Sequence, residues 1–219
     1  MTAGHAATSY LARLIAAEST PGGERAIIEL VGQEMRSLGY RDVHVDGAGN
    51  AVGSIGSGFP TVLVDCHVDT IPLHAAEAWT HDPFGAEVSQ GRMYGLGACD
   101  MKASVAAATH GLIELRALPP GSGTVVLVCS VAEEMMEGAA LLEAVEAARP
   151  DLVVIGEPTD LAVNRGQRGR AKLDLTVRGH GAHAANRADA ANAVEAMAAI
   201  LAELAAGQRT SPDSELAFS

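Results

Sequence analysis

Residues Thr61–Thr70 read TVLVDCHVDT, a short, largely β-branched apolar run that ends in a histidine and an aspartate. Two further runs share its texture, Thr124–Val131 (TVVLVCSV) and Leu152–Ile155 (LVVI). Runs this short and this continuously apolar belong to strands buried on both faces. Helical periodicity fills the intervals, through Met101, Val105, Ala108, Leu112 and Leu115 in one and Leu141, Leu142 and Val145 in the other. Upstream, Tyr10, Leu11, Leu14 and Ile15 recur at helical spacing. After the Pro21-Gly22-Gly23 break, Ile27, Leu30, Val31, Met35 and Leu38 mark a second amphipathic helix that Gly39 ends. Strands alternating with helices predict an α/β fold, a parallel or mixed sheet covered on both sides in an α/β/α sandwich.

Beyond Glu157 the pattern changes. Ala171–Arg178 alternates strictly, with Leu173, Leu175 and Val177 on one face and Lys172, Asp174, Thr176 and Arg178 on the other, as in a half-exposed strand. An amphipathic helix through Val194, Met197, Leu201 and Leu204 follows. The expected organisation is therefore a first domain over residues 1–163 and the opening of a smaller α+β domain over 164–219, with Gly166 and Gly169 suited to a hinge. One strand alone makes no sheet, so this second domain reads as incomplete, and the 219-residue form is expected to be weakly stable or prone to association.

Composition narrows the function classes. The chain carries 15 basic and 27 acidic residues, a formal charge of −12 that repels nucleic-acid phosphates and favours cations and small molecules as ligands. Its 48% hydrophobic and 19% charged residues exclude a disordered chain, and no apolar run approaches the ~18–20 residues a bilayer demands. Neither nucleic acid nor membrane is an expected partner. The cysteines Cys66, Cys99 and Cys129 are odd in number and widely spaced, which argues against a disulfide scaffold. The opening MTAGHAATSY lacks the basic, apolar and small-residue signature of an export signal, so the cytoplasm is the expected compartment.

In open α/β sheets ligands collect at the carboxyl ends of the strands. His67 and Asp69 follow the first apolar run, Glu133 and Glu134 the second, Glu157 the third, and Asp100 stands in a glycine-bearing turn before a helix. Each has a structural reading. His67 and Asp69 form a strand-end pair, Asp100 caps its helix, Glu133 and Glu134 favour the start of the helix carrying Leu141 and Val145, and Glu157 is a strand-end carboxylate with a structural role. Together they have a common functional reading, a carboxylate-rich cluster with one histidine, suited to zinc or a similar divalent ion. His67-Val68-Asp69 puts both side chains on one side of an extended segment, where Asp69 can hold the second ring N–H of His67.

The segments VDCHVDT, WTHDPFGAEV, GRMYGLGACDMKAS, AEEMMEG, VVIGEPTD and RGQRGRAKLDLTVRGHGAHAA follow one another in an order that resembles a known family. It is the zinc-dependent aminoacylase, deacetylase and carboxypeptidase metallopeptidases, among them acetylornithine deacetylase, succinyl-diaminopimelate desuccinylase, glutamate carboxypeptidase and the selenium-metabolism-linked hydrolases. The resemblance implies a catalytic domain followed by a lid or dimerisation domain. It implies two Zn2+ ions per site, or Co2+ or Mn2+, with His67 and Glu157 on the first metal, Asp100 bridging and Glu134 on the second. Glu133 takes the place of the general base and Asp69 that of the residue orienting His67. His183 takes the place of the lid histidine that, in dimeric members, reaches the partner's site and stabilises the developing oxyanion. The implied partners are an N-acyl amino acid or small peptide substrate and a second copy of the chain, joined through the lid.

Some positions depart from that pattern. Leu96 stands where arginine is usual and Ala103 where glycine is usual, and no proline follows the lid histidine in the Arg187 region. No residue matches the late histidine of the second metal site, and His5, His44, His74, His81, His110 and His180 read as ordinary surface or loop residues. Arg165, Arg168 and Arg170 suit either a substrate carboxylate or a solvated hinge, and Cys66 and Cys99 read as packing. The expected activity is hydrolysis of an amide bond by metal-activated water. Two other readings stay open on the sequence alone: a truncated, non-catalytic metal-binding or dimerising module, and an aminopeptidase acting on free N-termini.

Overall fold

The computed structural model describes residues 3–167, 169, 173–181, 183 and 190–210. It divides into two compact units, Met1–Asn164 and Arg165–Ser219. The first unit opens with helices α1 (Ala3–Ala16) and α2 (Arg25–Ser37), then strands β1 (Arg41–Val45), β2 (Ala51–Gly58) and β3 (Thr61–His67). A hairpin of β4 (Glu87–Ser89) and β5 (Arg92–Tyr94) precedes helix α3 (Ala103–Gly111) and strand β6 (Ser122–Ser130). A short helix α4 (Glu133–Met136), helix α5 (Leu141–Ala148) and strand β7 (Leu152–Ile155) complete it.

The main sheet has five strands in the order β1-β2-β6-β3-β7. β3 lies between β6 and β7 and runs parallel to both, while β2 is antiparallel to β1 and β6. This is the mixed α/β sheet the sequence predicts. Alternate side chains of a strand point to opposite faces, and the core divides accordingly. Leu127 and Cys129 of β6 join α1, α2 and α3 through Tyr10, Leu14, Ile27, Val31, Met35 and Val105. Val126 and Val128, one residue out of phase, join Leu63 and the α5 residues Ala144, Leu141 and Val145. Both layers of the sandwich thus rest on the alternation of β6.

The sequence does not announce β2, whose residues AVGSIGSG are poor strand formers. Its glycines serve packing instead. A Cβ at Gly53 would stand 3.0 Å from Met35 Sδ and 3.3 Å from the Tyr40 ring, so any larger residue would push these side chains away from the sheet.

Several elements differ from expectation. Leu152–Ile155 is a strand, but it occupies the sheet edge and its residues are between 40% and 58% exposed rather than buried on both faces. Among the described residues it pairs with β3 alone, so its outer edge has no described strand beside it. The helix expected through Met101–Leu115 breaks into a π-turn (Ala98–Lys102), α3 and a 3-10 segment (Leu112–Ala117). The break falls where Asp100 and Met101 leave helical φ/ψ and Met101 Sδ accepts the His67 backbone N–H at 3.3 Å. Glu133 and Glu134 head the four-residue α4, not the helix carrying Leu141 and Val145. His110 is a core residue rather than a surface one, since its Nε2 lies 3.1 Å from Glu34 Oε1 and its ring packs on Tyr10. Cys66 is buried as expected, whereas Cys99 is exposed.

In the second unit, helix α6 (Ala193–Thr210) carries Val194, Met197, Leu201 and Leu204 as expected, and His180 and Ala191 form an isolated bridge. The alternating segment is not a strand over its described residues 173–178, and Ala171 and Lys172 lie outside them. A strand needs a neighbour to receive its backbone groups, and no strand of this unit is present among the described residues. No described helix is long and apolar enough to cross a membrane.

Leu127 is fully buried at the centre of the sheet. Leu127→Ala is expected to lower the unfolding free energy by about 2–5 kcal/mol, read from the shift of the urea midpoint.

Candidate metal centre

The parallel register levels the strand ends. His67 closes β3 opposite Ser130 of β6, and Asp65 of β3 stands opposite Ile155 of β7. The loops leaving this rim carry Asp69, Glu133 with Glu134, and Glu157, and the π-turn delivers Asp100 from the side. Gly156 makes the approach of Glu157 possible, because a Cβ there would stand 2.7 Å from Cys66 Sγ and 3.0 Å from Met101 Cε.

His67 is nearly inaccessible, at 2% exposure. Its Nε2 lies 3.1 Å from Asp100 Oδ1 and 3.7 Å from Glu157 Oε1. Donor atoms of His67, Asp100 and Glu134 all fall within 4.8 Å of one another, and so do those of His67, Glu133 and Glu157. The structure therefore gathers His67, Asp69, Asp100, Glu133, Glu134 and Glu157 at one rim. His183 belongs to the other unit, and Arg168, Arg170 and Arg187 lie outside the described residues. Asp100 makes its side-chain contact with His67, and α3 has no side-chain cap, so the capping expectation fails.

Asp69 is fully buried and does more than orient His67. Nδ1 of His67 lies 3.0 Å from the Asp69 main-chain oxygen and 3.5 Å from its carboxylate. The carboxylate chiefly receives the backbone N–H groups of Glu133, at 3.1 Å on Oδ1, and of Glu134, at 3.0 Å on Oδ2. One side chain thus ties the end of β3 to the loop after β6. That loop turns at Ala132, whose φ of 56° is left-handed and costly for a residue with a Cβ. The Val131 N–H donates to Asn50 Oδ1 at 3.1 Å, and that of Ala132 to Glu24 Oε1 at 3.0 Å. Sequence reading passed over Asn50 and Glu24, because their partners are backbone groups far along the chain.

The electrostatics suit a cation. Burial raises Glu133 and Glu134, as do neighbouring carboxylates, against the opposing pull of His67. Burial together with Asp100 and Glu133 pushes Glu157 up to about 7. Burial disfavours the His67 imidazolium, but Asp69, Glu157 and Asp100 outweigh it and hold the ring up at about 9. Asp69 moves the other way. Burial disfavours its charge, yet His67 and the Glu134 and Glu133 amides hold its carboxyl below the ordinary value. Carboxylates crowded around an imidazole, mutually disfavouring ionisation, form a hard and borderline donor set that a divalent ion would relieve.

Fold and donor set together define an α/β protein with a candidate divalent-cation site at the carboxyl ends of its parallel strands. Residues 63–217 match the sequence model of peptidase family M20/M25/M40, and the chain belongs to that family. Acetylornithine deacetylase of Proteus mirabilis (strain HI4320) is 30% identical over 170 residues, covering 75% of this chain and 43% of that protein. Succinyl-diaminopimelate desuccinylase of Azoarcus sp. (strain BH72) is 30% identical over 206 residues, covering 88% and 54%. The chain spans about half the length of the curated relatives it matches. Its fold is similar to that of the Bacillus subtilis YXEP protein, described as a dinuclear metal-binding peptidase of the M20 family. There the TM-score is 0.53 at 19% identity, over 68% of this chain and 41% of that one.

Asp69→Ala strands two backbone N–H groups that have no other described acceptor. We expect a loss of about 1–3 kcal/mol for each group left without a partner. Asp69→Asn, which keeps one acceptor oxygen, is expected to lose less. Chemical denaturation in the presence of a chelator measures both.

Proposed function

We propose that the chain is the metal-binding part of a hydrolase that cleaves the amide bond of N-acyl amino acids or small peptides. The observation that carries the proposal is the convergence of His67, Asp100 and Glu134, and of His67, Glu133 and Glu157, to within 4.8 Å, close enough for a shared cation. The names of the acetylornithine and succinyl-diaminopimelate relatives support the substrate class. The dinuclear description of the YXEP protein supports two ions. Zinc is the proposed metal, with Co2+ or Mn2+ as substitutes; His67 and Glu157 would hold one ion, Glu134 would hold a second, and Asp100 would serve both. When bound, such ions supply the positive charge that acidifies water and polarises a carbonyl.

The chain's own residues divide the remaining work. Glu133 takes the proton of the attacking water and returns it to the leaving nitrogen. Burial and neighbouring carboxylates raise its proton affinity, the direction that helps a carboxylate take a proton from water. Asp69 fixes the His67 ring through Nδ1, which leaves Nε2 facing the carboxylates. The same carboxylate grips the Glu133 and Glu134 amides, so ligand and base are set by one anchor. Residues 1–163 form the proposed catalytic domain and 164–219 part of a lid through which two copies pair. His183 is the proposed lid histidine for the oxyanion.

A panel of acyl-amino acids and dipeptides, assayed after loading with zinc, cobalt or manganese, tests the reading. Wild type is expected to hydrolyse at least one member, and Glu133→Gln to lose at least ~100-fold in kcat, the lower range of general-base contributions, while still binding metal. Equal inertness of both after full loading would sink catalysis and leave a non-catalytic metal-binding module. Removing the metal with a chelator is expected to abolish turnover, and zinc to restore it. Activity that persists in the metal-free protein would contradict the role of the cluster.

A further inference from the structure

The connection between α1 and α2, residues 17–24, supplies no metal ligand, yet it is bonded to the segments that carry His67, Asp100 and Glu133 with Glu134. Lys102, 1% exposed and two residues from Asp100, donates from Nζ to the Ala17 main-chain oxygen at 2.9 Å. Ser19, also 1% exposed, donates from Oγ to the Val68 oxygen at 2.8 Å, and its own main-chain oxygen receives the Thr70 N–H at 2.9 Å. It therefore holds both sides of Asp69. Glu24, 6% exposed, receives the Ala132 N–H on Oε1 at 3.0 Å, immediately before Glu133. Between Ser19 and Glu24 the connection is closed by a tight turn in which the Gly23 N–H meets the Thr20 oxygen at 2.7 Å.

We propose that residues 17–24 act as one bracket that sets the spacing of the metal-bearing loops, with Ser19, Glu24 and Lys102 as positioning residues for His67, Asp100, Glu133 and Glu134. The proposal rests on the reading of those four as metal-centre residues. The physical reason for such a device lies in the donors themselves. Like-charged carboxylates do not hold one another together, so in the absence of a cation their spacing must come from groups outside the cluster. Apart from the main-chain bond of Thr70 to Ser19, the bracket's bonds join buried side chains to main-chain atoms, and buried polar groups of this kind are costly to leave unpaired. Shifting one arm of the short, turn-closed connection displaces the other.

The test compares Glu24→Ala, Glu24→Gln and Ser19→Ala in the full chain, with Ile28→Ala as control. Ile28 is 5% exposed in α2 and belongs to the hydrophobic core, and truncating its side chain destabilises while keeping its main-chain bond to the Glu24 oxygen and all of the bracket's side-chain bonds. Amide hydrogen exchange of the metal-free protein is followed over residues 66–70, 98–103 and 131–136, and Co2+ affinity is measured by absorption titration. Glu24→Ala is expected to speed exchange at 131–136 and also at 66–70, and to weaken Co2+ binding by roughly 10-fold, the lower end for outer partners of metal ligands. Glu24→Gln, which keeps an acceptor oxygen, is expected to stay near wild type. Ser19→Ala is expected to reproduce the pattern from the other arm, and it carries the comparison alone if Glu24→Ala does not fold. Faster exchange confined to the mutated arm, unchanged Co2+ affinity, or the same pattern in Ile28→Ala would overturn the bracket. A wild type that binds no Co2+ would overturn the metal-centre reading and the bracket with it, whereas normal wild-type binding with unaffected variants would overturn the bracket alone.

Discussion

A single buried carboxylate joins the two halves of the site. Asp69 leaves the end of β3 and receives the main-chain N–H groups of Glu133 and Glu134 beyond β6, while its backbone oxygen and carboxylate face Nδ1 of His67. These contacts compensate one another. A fully buried charge is tolerable only when it is paired and hydrogen-bonded, and the amides and imidazole do this for Asp69. In return they gain fixed positions that neither a strand end nor a four-residue helix would supply. The parallel alignment of β3 with β6, residue for residue from Thr61 and Thr124 to His67 and Ser130, brings the two ends level so that this contact can form.

The sandwich was largely legible in the sequence, and the reasons are local. β-branched runs mark β3, β6 and β7, and helical spacing marks α1, α2 and α5, because burial imposes the period of the element on the residues that face the core. Where the structure departs from this reading, a tertiary demand outweighs local preference. In β2, Gly53 makes room for Met35 and Tyr40, and Gly56 and Gly58 take positive φ beside the backbone of Gly123 and Gly121. The periodic stretch after Asp100 starts late because the Met101 side chain turns beneath His67. LVVI carries the texture of an inner strand while standing at an edge, since apolarity reports suitability for burial and not the presence of a neighbour.

The candidate site was legible for a different reason. Metal-type side chains at strand ends are conspicuous as a set, and His67, Asp69, Asp100, Glu133, Glu134 and Glu157 all meet at one rim. The residues that hold them were not visible. Ser19, Glu24, Asn50 and Lys102 grip backbone atoms between 49 and 108 positions away, and a main-chain partner leaves no signature in either segment. The same limit applies to His110, whose ion-pair partner Glu34 lies 76 positions off on another helix.

The left-handed turn at Ala132 has a consequence for the sign of the local field. Successive N–H groups from Val131 to Glu134 curve around that turn, the kind of concave amide surface that ordinarily captures phosphate or another anion from solution. In this chain the concavity is filled from within, by the carboxylates of Glu24 and Asp69 and the amide oxygen of Asn50. Its partial positive charge is therefore spent on internal groups. An amide curve of the anion-attracting kind thus serves this chain as an internal fastening between segments.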